Sequence, residues 1–443
     1  MLVFSFLGLI VLGTVGLRTL PGLYTGEPLS WLDALFTATS AVCVTGLIVV
    51  DTATYFTGAG QAFLLLLIQL GGLGILTFTT LVILALGGRL SLNHEAATST
   101  ATDIASDIDV KRLVRNVVRF ALLFEAGGAG LLFLVWVWRF GFAEAAWHSV
   151  FHAVSAFCNA GFSTFSDSLV GFRSAPVTLS VVMLLIVLGG LGFLTLEELH
   201  IRWKGRNGSP PPLSLHSRLV LAASGLLLVG GWVAFTILEW RNTMADMPAW
   251  ARLVNGLFMS VTARTAGFNT VDYGATAPGT DFITILLMSV GGSPGSTAGG
   301  LKTTTVAVMV LLALARLRGR NVTSVGHRSI PEDTVQRAVG VFVVGSLLVT
   351  GGILLYSVVE LPPSGPTAPD AFLRHMFEAA SAFNTVGLSM GVTGDLTPVS
   401  KVLTIALMYL GRVGPLTFAS AVALSRPPLA GEFRYAYEDV IIG

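Results

Sequence analysis

SAVCVTGL (Ser40–Leu47) recurs along the chain as SAFCNAGF (Ser155–Phe162), TARTAGF (Thr262–Phe268) and SAFNTVGL (Ser381–Leu388). Each copy places a glycine after small or β-branched residues: Gly46, Gly161, Gly267 and Gly387. An apolar residue stands ten positions before each glycine, at Phe36, Phe151, Leu257 and Phe377. The third copy differs slightly, its hydroxyl side chain lying five places before the glycine instead of six. A second motif follows each of the first: QLGGLGILT (Gln69–Thr77), VLGGLGFLT (Val187–Thr195), SVGGSPGST (Ser289–Thr297) and YLGRVGPLT (Tyr409–Thr417). From turn glycine to first motif glycine the separations are 25, 28, 24 and 24 residues. Two motifs that keep register four times mark internal repeats.

What surrounds these motifs is membrane sequence. The 443 residues are 53% hydrophobic and 12% charged, with a mean hydropathy of +0.77. A soluble domain of this length needs more polar surface than that. The net charge of +1 gives no electrostatic case for nucleic acid. Cys43 and Cys158 form neither a metal cluster nor a disulfide framework. The apolar start at Met1 lacks a basic region and a small-residue cleavage site, so it reads as a spanning helix and not a signal peptide.

A span needs about 20 apolar residues to cross about 30 Å of hydrocarbon. Eight stretches qualify, roughly 1–19, 60–88, 113–138, 175–199, 217–239, 282–316, 335–359 and 398–424. Between the members of each successive pair lies a segment too short to cross, starting near Trp31, Trp147, Trp250 and Ala371. Tryptophan at three of these starts is the expected interfacial anchor. The fold class is therefore an all-α membrane protein of four fused helix–pore loop–helix repeats around a central pore. Repeat 1 covers 1–88, repeat 2 113–200, repeat 3 217–316 and repeat 4 335–424. Cytoplasmic linkers run over 89–112, 201–216 and 317–334, and a cytoplasmic tail over 425–443. An even number of spans puts both termini on one side, and that side holds sixteen Lys/Arg against seven opposite. The bias makes the termini cytoplasmic and turns the four glycine turns outward.

A permeating cation exchanges its hydration shell for protein oxygens without being held too tightly. Backbone carbonyls aimed at an axis do this where glycine frees the chain. The expected ion-binding backbone is Val44-Thr45-Gly46, Asn159-Ala160-Gly161, Thr265-Ala266-Gly267 and Thr385-Val386-Gly387. The partially negative C-terminal end of each preceding short helix favours cations as well. GGSPGSTAGGLKTTT (Gly291–Thr305) carries five glycines and a proline in its first ten residues, which breaks a span. Its residues Gly291, Gly292, Ser293, Pro294, Gly295, Ser296, Thr297, Ala298, Gly299, Gly300 and Lys302 form a broken stretch at membrane depth, and Arg412 is a further charge inside a span. Broken backbone at membrane depth must face water or protein, which sets this loop in the conduction path below the turns. Arg412 acts there as an electrostatic barrier or as an anchor for the loop, or is a structural arginine that binds helix-terminal carbonyls. Arg264 props its turn from behind, because a cation on the axis would block it. His148 and His152 share a helical face without a carboxylate or cysteine to complete a metal set, and read as structural.

Rival chemistries fit poorly. Counting from Gly295, Leu301 intervenes before Lys302, so the phosphate-cradling G-x-x-x-x-G-K-[ST] spacing fails. No spaced Asp/Asp, Ser/Lys or His/Glu pair within the spans supports an intramembrane enzyme.

The four turns, the Gly291–Thr305 loop, Arg412 within YLGRVGPLT and the ending EDVIIG (Glu438–Gly443) together resemble the Trk/Ktr/HKT superfamily of potassium transporters, over essentially the whole chain. Eight spans without an extra N-terminal pair resemble the bacterial Ktr-type membrane subunit in particular. The resemblance implies potassium uptake, with glycine at all four turns as the potassium-selective pattern. It also implies a homodimer with one pore per protomer in the plasma membrane, gated at the loop and Arg412. A cytosolic RCK-type ring would carry the regulatory nucleotide, docking on the basic face and the tail Arg426–Gly443. Sodium dependence is a further implication of the family, and sodium or unselective monovalent conduction is the alternative function.

Overall fold

The computed structural model describes residues 2–85, 110–204, 212–325, 328–360 and 371–424. The expected linker 89–112 lies almost wholly outside the described residues, as does the tail 425–443. Within them the chain is helical, apart from a two-residue hairpin of β1 (Ser324–Val325) and β2 (Arg328–Ser329).

The first quarter runs α1 (Leu2–Thr19), α2 (Trp31–Val42), a single turn α3 (Thr52–Tyr55) and α4 (Gly58–Ala85). The second runs α5 (Val110–Phe140), α6 (Phe142–Phe157), α7 (Pro176–Leu191) and α8 (Phe193–Lys204). The third comprises α9 (Leu215–Glu239), α10 (Ala249–Thr262), α11 (Pro278–Met288) and α12 (Thr303–Leu317). The fourth comprises α13 (Glu332–Val359), α14 (Ala371–Phe383) and α15 (Pro398–Leu424). Among the described residues, three helices (α5 from Arg115, α9 and α13) are long and apolar enough to cross a membrane singly, and α7 with α8 makes a fourth if the bent pair is one span.

The short helices α2, α6, α10 and α14 are 12, 16, 14 and 13 residues long. Their C-terminal halves are the most deeply buried parts of the molecule, rich in alanine, serine and phenylalanine. Between the first and last quarters α2 packs on α15, where Lys401 Nζ lies 2.7 Å from Asp33 Oδ1. Asp33 also sits in the first turn of α2, where its charge suits the helix dipole.

Three sequence expectations shift. The stretch 175–199 is not one span, because α7 and α8 meet at 105°. Gly192 makes the corner in the left-handed region at φ 85°, and Phe193 N donates to Gly295 O at 2.8 Å. The second short helix starts at Phe142, five residues before Trp147, because Gly141 at φ 78° turns the chain directly out of α5. Trp147 is no interfacial anchor: it is half-buried and its Nε1 donates to Gln61 Oε1 at 2.7 Å. Trp31 and Trp250 are exposed as an anchor requires.

The second glycine motif explains how the quarters pack. A Cβ built on Gly71, Gly189 or Gly411 would overlap the carbonyl oxygen of Val42, Phe157 or Phe383, each at the end of the short helix of its own quarter. These glycines let α4, α7 and α15 touch the short-helix ends backbone to backbone. Gly411→Ala should therefore cost about 1–3 kcal/mol through overpacking, read as a lower melting temperature in detergent. Gly225→Ala, in α9 with nothing within 4 Å of its Cβ position, should leave melting unchanged or raise it.

Candidate functional site

Each short helix stops in the same way. Its last carbonyls are taken by the turn itself, with Thr45 N on Ser40 O (2.8 Å), Ala160 N on Ser155 O (2.7 Å) and Val386 N on Ser381 O (2.8 Å). In the third copy Ala266 N reaches Thr262 O (3.0 Å), one residue closer along the chain. The hydroxyl of the same residue then staples the far limb. Ser40 Oγ donates to Leu47 O (2.7 Å), Ser155 Oγ to Phe162 O (2.7 Å) and Thr262 Oγ1 to Phe268 O (2.5 Å). In the first and fourth copies the serine hydroxyl also accepts from the N–H of Gly46 and Gly387, at 3.1 Å each.

The backbone alternates in handedness along each turn. Val44, Asn159, Thr265 and Thr385 have φ of 55°, 59°, 76° and 50°. Gly46, Gly161, Gly267 and Gly387 have φ of 94°, 70°, 80° and 90°, while Thr45, Ala160, Ala266 and Val386 between them keep ordinary φ. Left–right–left alternation turns successive carbonyls to one side, where an ordinary strand points them to opposite sides. Three of the four strained non-glycine residues are β-branched, and such a conformation costs about 1–3 kcal/mol each and persists where surroundings over-determine it.

The four turns meet one another. A Cβ on Gly46 would lie within 3.0 Å of Ala160 O, one on Gly161 within 3.0 Å of Ala266 O, one on Gly267 within 3.0 Å of Val386 O, and one on Gly387 within 3.0 Å of Thr45 O. The contacts run one to two, two to three, three to four and four back to one. All twelve expected ion-site residues are thus brought to one closed ring, buried throughout the eight non-glycine positions. The hydroxyls of Thr45, Thr265 and Thr385 are buried there with no protein partner.

On one side of the ring opens a cavity of about 420 Å³ lined by all four glycines and by Asp51, Asp167 and Asp272. On the other side runs the loop between α11 and α12. Ser293 N and Thr297 N donate to Gly190 O (3.0 Å) and Gly189 O (3.2 Å), Thr297 Oγ1 to Phe157 O (3.1 Å), and Gly300 N to Gly411 O (3.2 Å). Gly299 and Gly300 press against Thr385 and Asn384 of the fourth turn. The loop therefore passes from the second quarter to the fourth beneath the ring, with Ser293, Ser296, Thr297 and Ala298 buried.

Arg412 is buried at 2% exposure and donates to Thr297 O in the loop and to Gly71 O (3.4 Å) in the first quarter. These bonds to backbone carbonyls fit the anchor and the structural arginine alike. Lys302 bends back on Ala298 O within the loop and does not reach outward. Arg264 points to Ser224 on α9 (3.3 and 3.4 Å) and to Gly291 O (3.4 Å), behind its turn as expected.

The one-residue shortening of the third turn corrects a register. The buried aromatic equivalent to Phe36, Phe151 and Phe377 is Phe258, not Leu257, and each of these four stands four residues before the stapling hydroxyl. Counting back from the glycine misses this, whereas counting from Ser40, Ser155, Thr262 and Ser381 finds it. The sequence reading also missed buried Glu125 and Glu378. Gln69 Nε2 donates to both oxygens of Glu125, at 3.1 and 2.9 Å. An acid inside the apolar 113–138 stretch was the available signal for the first. Alanine at the ring glycines should destabilise most at Gly387, where the overlap is tightest, and least at Gly161, where it is mildest. The order of melting temperatures in detergent checks this.

Comparison with known proteins bears on the same geometry. The family model described as TrkH, cation transport protein, matches residues 5–428. The Ktr system potassium uptake protein B of Bacillus subtilis is 37% identical over 444 residues, covering 100% of this chain and 96% of that protein. The potassium/sodium uptake protein NtpJ of Enterococcus hirae is 37% identical over 421 residues, covering 95% and 91%. The crystal structure of the potassium transporter TrkH from Vibrio parahaemolyticus aligns with a TM-score of 0.76 at 18% identity, over 96% of this chain and 83% of that one.

Proposed function

The chain belongs to the TrkH family of cation transport proteins, a multi-pass membrane family and not an enzyme, and on that premise we propose that it takes up potassium across a bacterial plasma membrane through the axial ring. The observation that carries this reading is the closed ring of Thr45, Ala160, Ala266 and Val386 carbonyls, each against the glycine of the preceding turn in the ring. Carbonyl dipoles replace the hydration shell of a weakly hydrated cation, and the backbone strain holds them in place before the ion arrives. The hydroxyls of Thr45, Thr265 and Thr385, which have no protein partner, offer further oxygens on the same turns. Asp51, Asp167 and Asp272 at the mouth raise the local cation concentration.

The filter in this reading faces outward, the termini are cytoplasmic and the Gly291–Lys302 loop is the gate. The loop lies under the ring and is held by Arg412 to the first quarter. That supports a closed path which opens when the loop leaves the Gly189, Gly190 and Gly411 carbonyls. Assembly as a homodimer on a cytosolic RCK-type ring, with the nucleotide on that partner, rests on the resemblance to Ktr systems. So does sodium dependence. A sodium or unselective monovalent transporter is the second reading, favoured by the potassium/sodium description of the Enterococcus hirae relative.

Rubidium tracer uptake into proteoliposomes, competed with potassium or sodium, separates the two. Potassium selectivity predicts competition by potassium at far lower concentration than by sodium; equal competition selects the second reading. Deleting Gly295–Gly300 should raise uptake severalfold and leave the competition ratio unchanged, and Arg412→Ala should act in the same direction. Unchanged or lost uptake in folded protein would remove the gate from this loop.

A further inference from the structure

The corrected register exposes a position that the four quarters fill differently. The residue after each buried phenylalanine is Thr37, His152, Met259 or Glu378, and all four are buried. Each lies on its short helix behind the turn. The chain beyond the turn glycine carries Ile48, Ser163, Asn269 or Ser389 two residues on. Only the second and fourth quarters pair a polar helix residue with a hydroxyl there.

In the second quarter His152 Nε2 lies 2.9 Å from Ser163 Oγ, and His152 Nδ1 lies 2.8 Å from His148 O. A carbonyl accepts only, so Nδ1 carries the proton and Nε2 accepts from Ser163 Oγ, whose other acceptor, Ser168 O, is farther away at 3.3 Å. Trp136 and Phe165 pack on the imidazole with ring centroids at 5.2 and 4.8 Å, which fixes its plane. In the fourth quarter Glu378 Oε1 accepts from Thr393 Oγ1, and that hydroxyl lies 3.0 Å from Ser389 Oγ. Glu378 Oε2 is buried without a partner. The two serines then hold the exit of the turn alike: Ser163 Oγ accepts from Phe165 N at 3.0 Å, and Ser389 Oγ from Gly391 N at 3.1 Å. In the first quarter Thr37 Oγ1 has no partner and Ile48 offers none. In the third, Met259 offers no hydrogen, and the Asn269 amide is committed to Val271 O.

We propose that His152 and Glu378 are positioning residues for ion selection, bracing the second and fourth turns through Ser163 and through Thr393 and Ser389. The ring order puts these two turns opposite each other across the axis. At the ring itself the turns meet backbone to backbone, so a second tie from helix to exit limb, added to the staples at two opposite members, stiffens the ring along one diagonal. The first and third turns lack this second tie and keep the staples of Ser40 on Leu47 O and Thr262 on Phe268 O, with Asn269 N of the third also bound to Ser168 Oγ of the second quarter at 3.2 Å. A fourfold carbonyl ring thereby acquires one diagonal that is braced more heavily than the other. This proposal rests on the reading of the ring as the filter.

The test is potassium-against-sodium competition for rubidium uptake by the full chain in proteoliposomes, with melting temperature measured alongside. Ser163→Ala and Thr393→Val remove only the hydroxyl that each brace grips, and should each lower the potassium-over-sodium ratio about tenfold. His152→Ala and Glu378→Ala should do the same. Glu378→Gln, which keeps an acceptor oxygen for Thr393, should restore the ratio to within about twofold of the unaltered protein. Thr37→Ala and Met259→Leu occupy the equivalent position without a brace and should also stay within about twofold. If His152→Ala or Glu378→Ala does not fold, Ser163→Ala and Thr393→Val decide. Folded Ser163→Ala and Thr393→Val variants with an unaltered ratio would overturn the proposal, as would equal losses at Thr37 and Met259. Should the unaltered protein itself show no preference for potassium, the filter reading falls and the brace with it. A potassium preference that survives all brace variants overturns the brace alone.

Discussion

Gly46, Gly161, Gly267 and Gly387 each press against the main chain of the next turn, with no space between for a Cβ. Four strands of backbone can meet this closely only where side chains are absent on the inner seam and directed outward on either side of it. The left-handed residue two places earlier in each turn follows from the same demand. So do the stapling hydroxyls of Ser40, Ser155, Thr262 and Ser381, which hold the strained limb against its own helix. Small residues fill the ends of the short helices because the next glycine layer, Gly71, Gly189 and Gly411, approaches those ends equally closely. In lipid, where apolar burial between helices gains little, such close packing and internal hydrogen bonding carry the assembly.

Fusing the four units into one chain frees each to differ. The third departs furthest: its turn is one residue shorter, Arg264 stands at the end of its short helix, and its second span is opened into the loop that crosses beneath the ring. There Gly291 packs on the loop's own Gly299 O, where the other quarters pack on a short-helix carbonyl. Arg412, the fourth quarter's substitute for a motif glycine, spans the gap and binds carbonyls of the loop and of the first quarter. A buried guanidinium so placed is satisfied by backbone dipoles and holds three quarters in one arrangement.

Much of this was legible in the sequence because glycine has no substitute at these positions. The four turns, the twelve residues brought to the ring and the broken span all announced themselves through glycine spacing. That Arg264 turns to Ser224 and Gly291 O and not to the axis agrees with the cost of a cation there. Harder to see was Gly192, since its motif reads the same as the first quarter's, where Gly74 continues a helix. Only the partner carbonyl of Gly295 makes it a corner, and that contact is tertiary. Trp147 was misassigned for a similar reason: an indole suits a lipid interface and a buried amide equally well, and Gln61 decided between them. The exchange of Leu257 for Phe258 reflects a deletion inside the turn, which shifts every count taken across it. Glu378 and His152 stood in plain sight, but their roles depend on hydroxyls eleven to fifteen residues away that no short-range pattern links.

The central claim is that the carbonyls of Thr45, Ala160, Ala266 and Val386 form an ion site on a common axis. Anomalous diffraction from crystals of the full chain grown in rubidium tests it most directly. The account predicts a rubidium peak on the axis, equidistant from those four oxygens and lost when sodium replaces rubidium. An empty axis in rubidium, or a peak that persists unchanged in sodium-exchanged crystals, would contradict it.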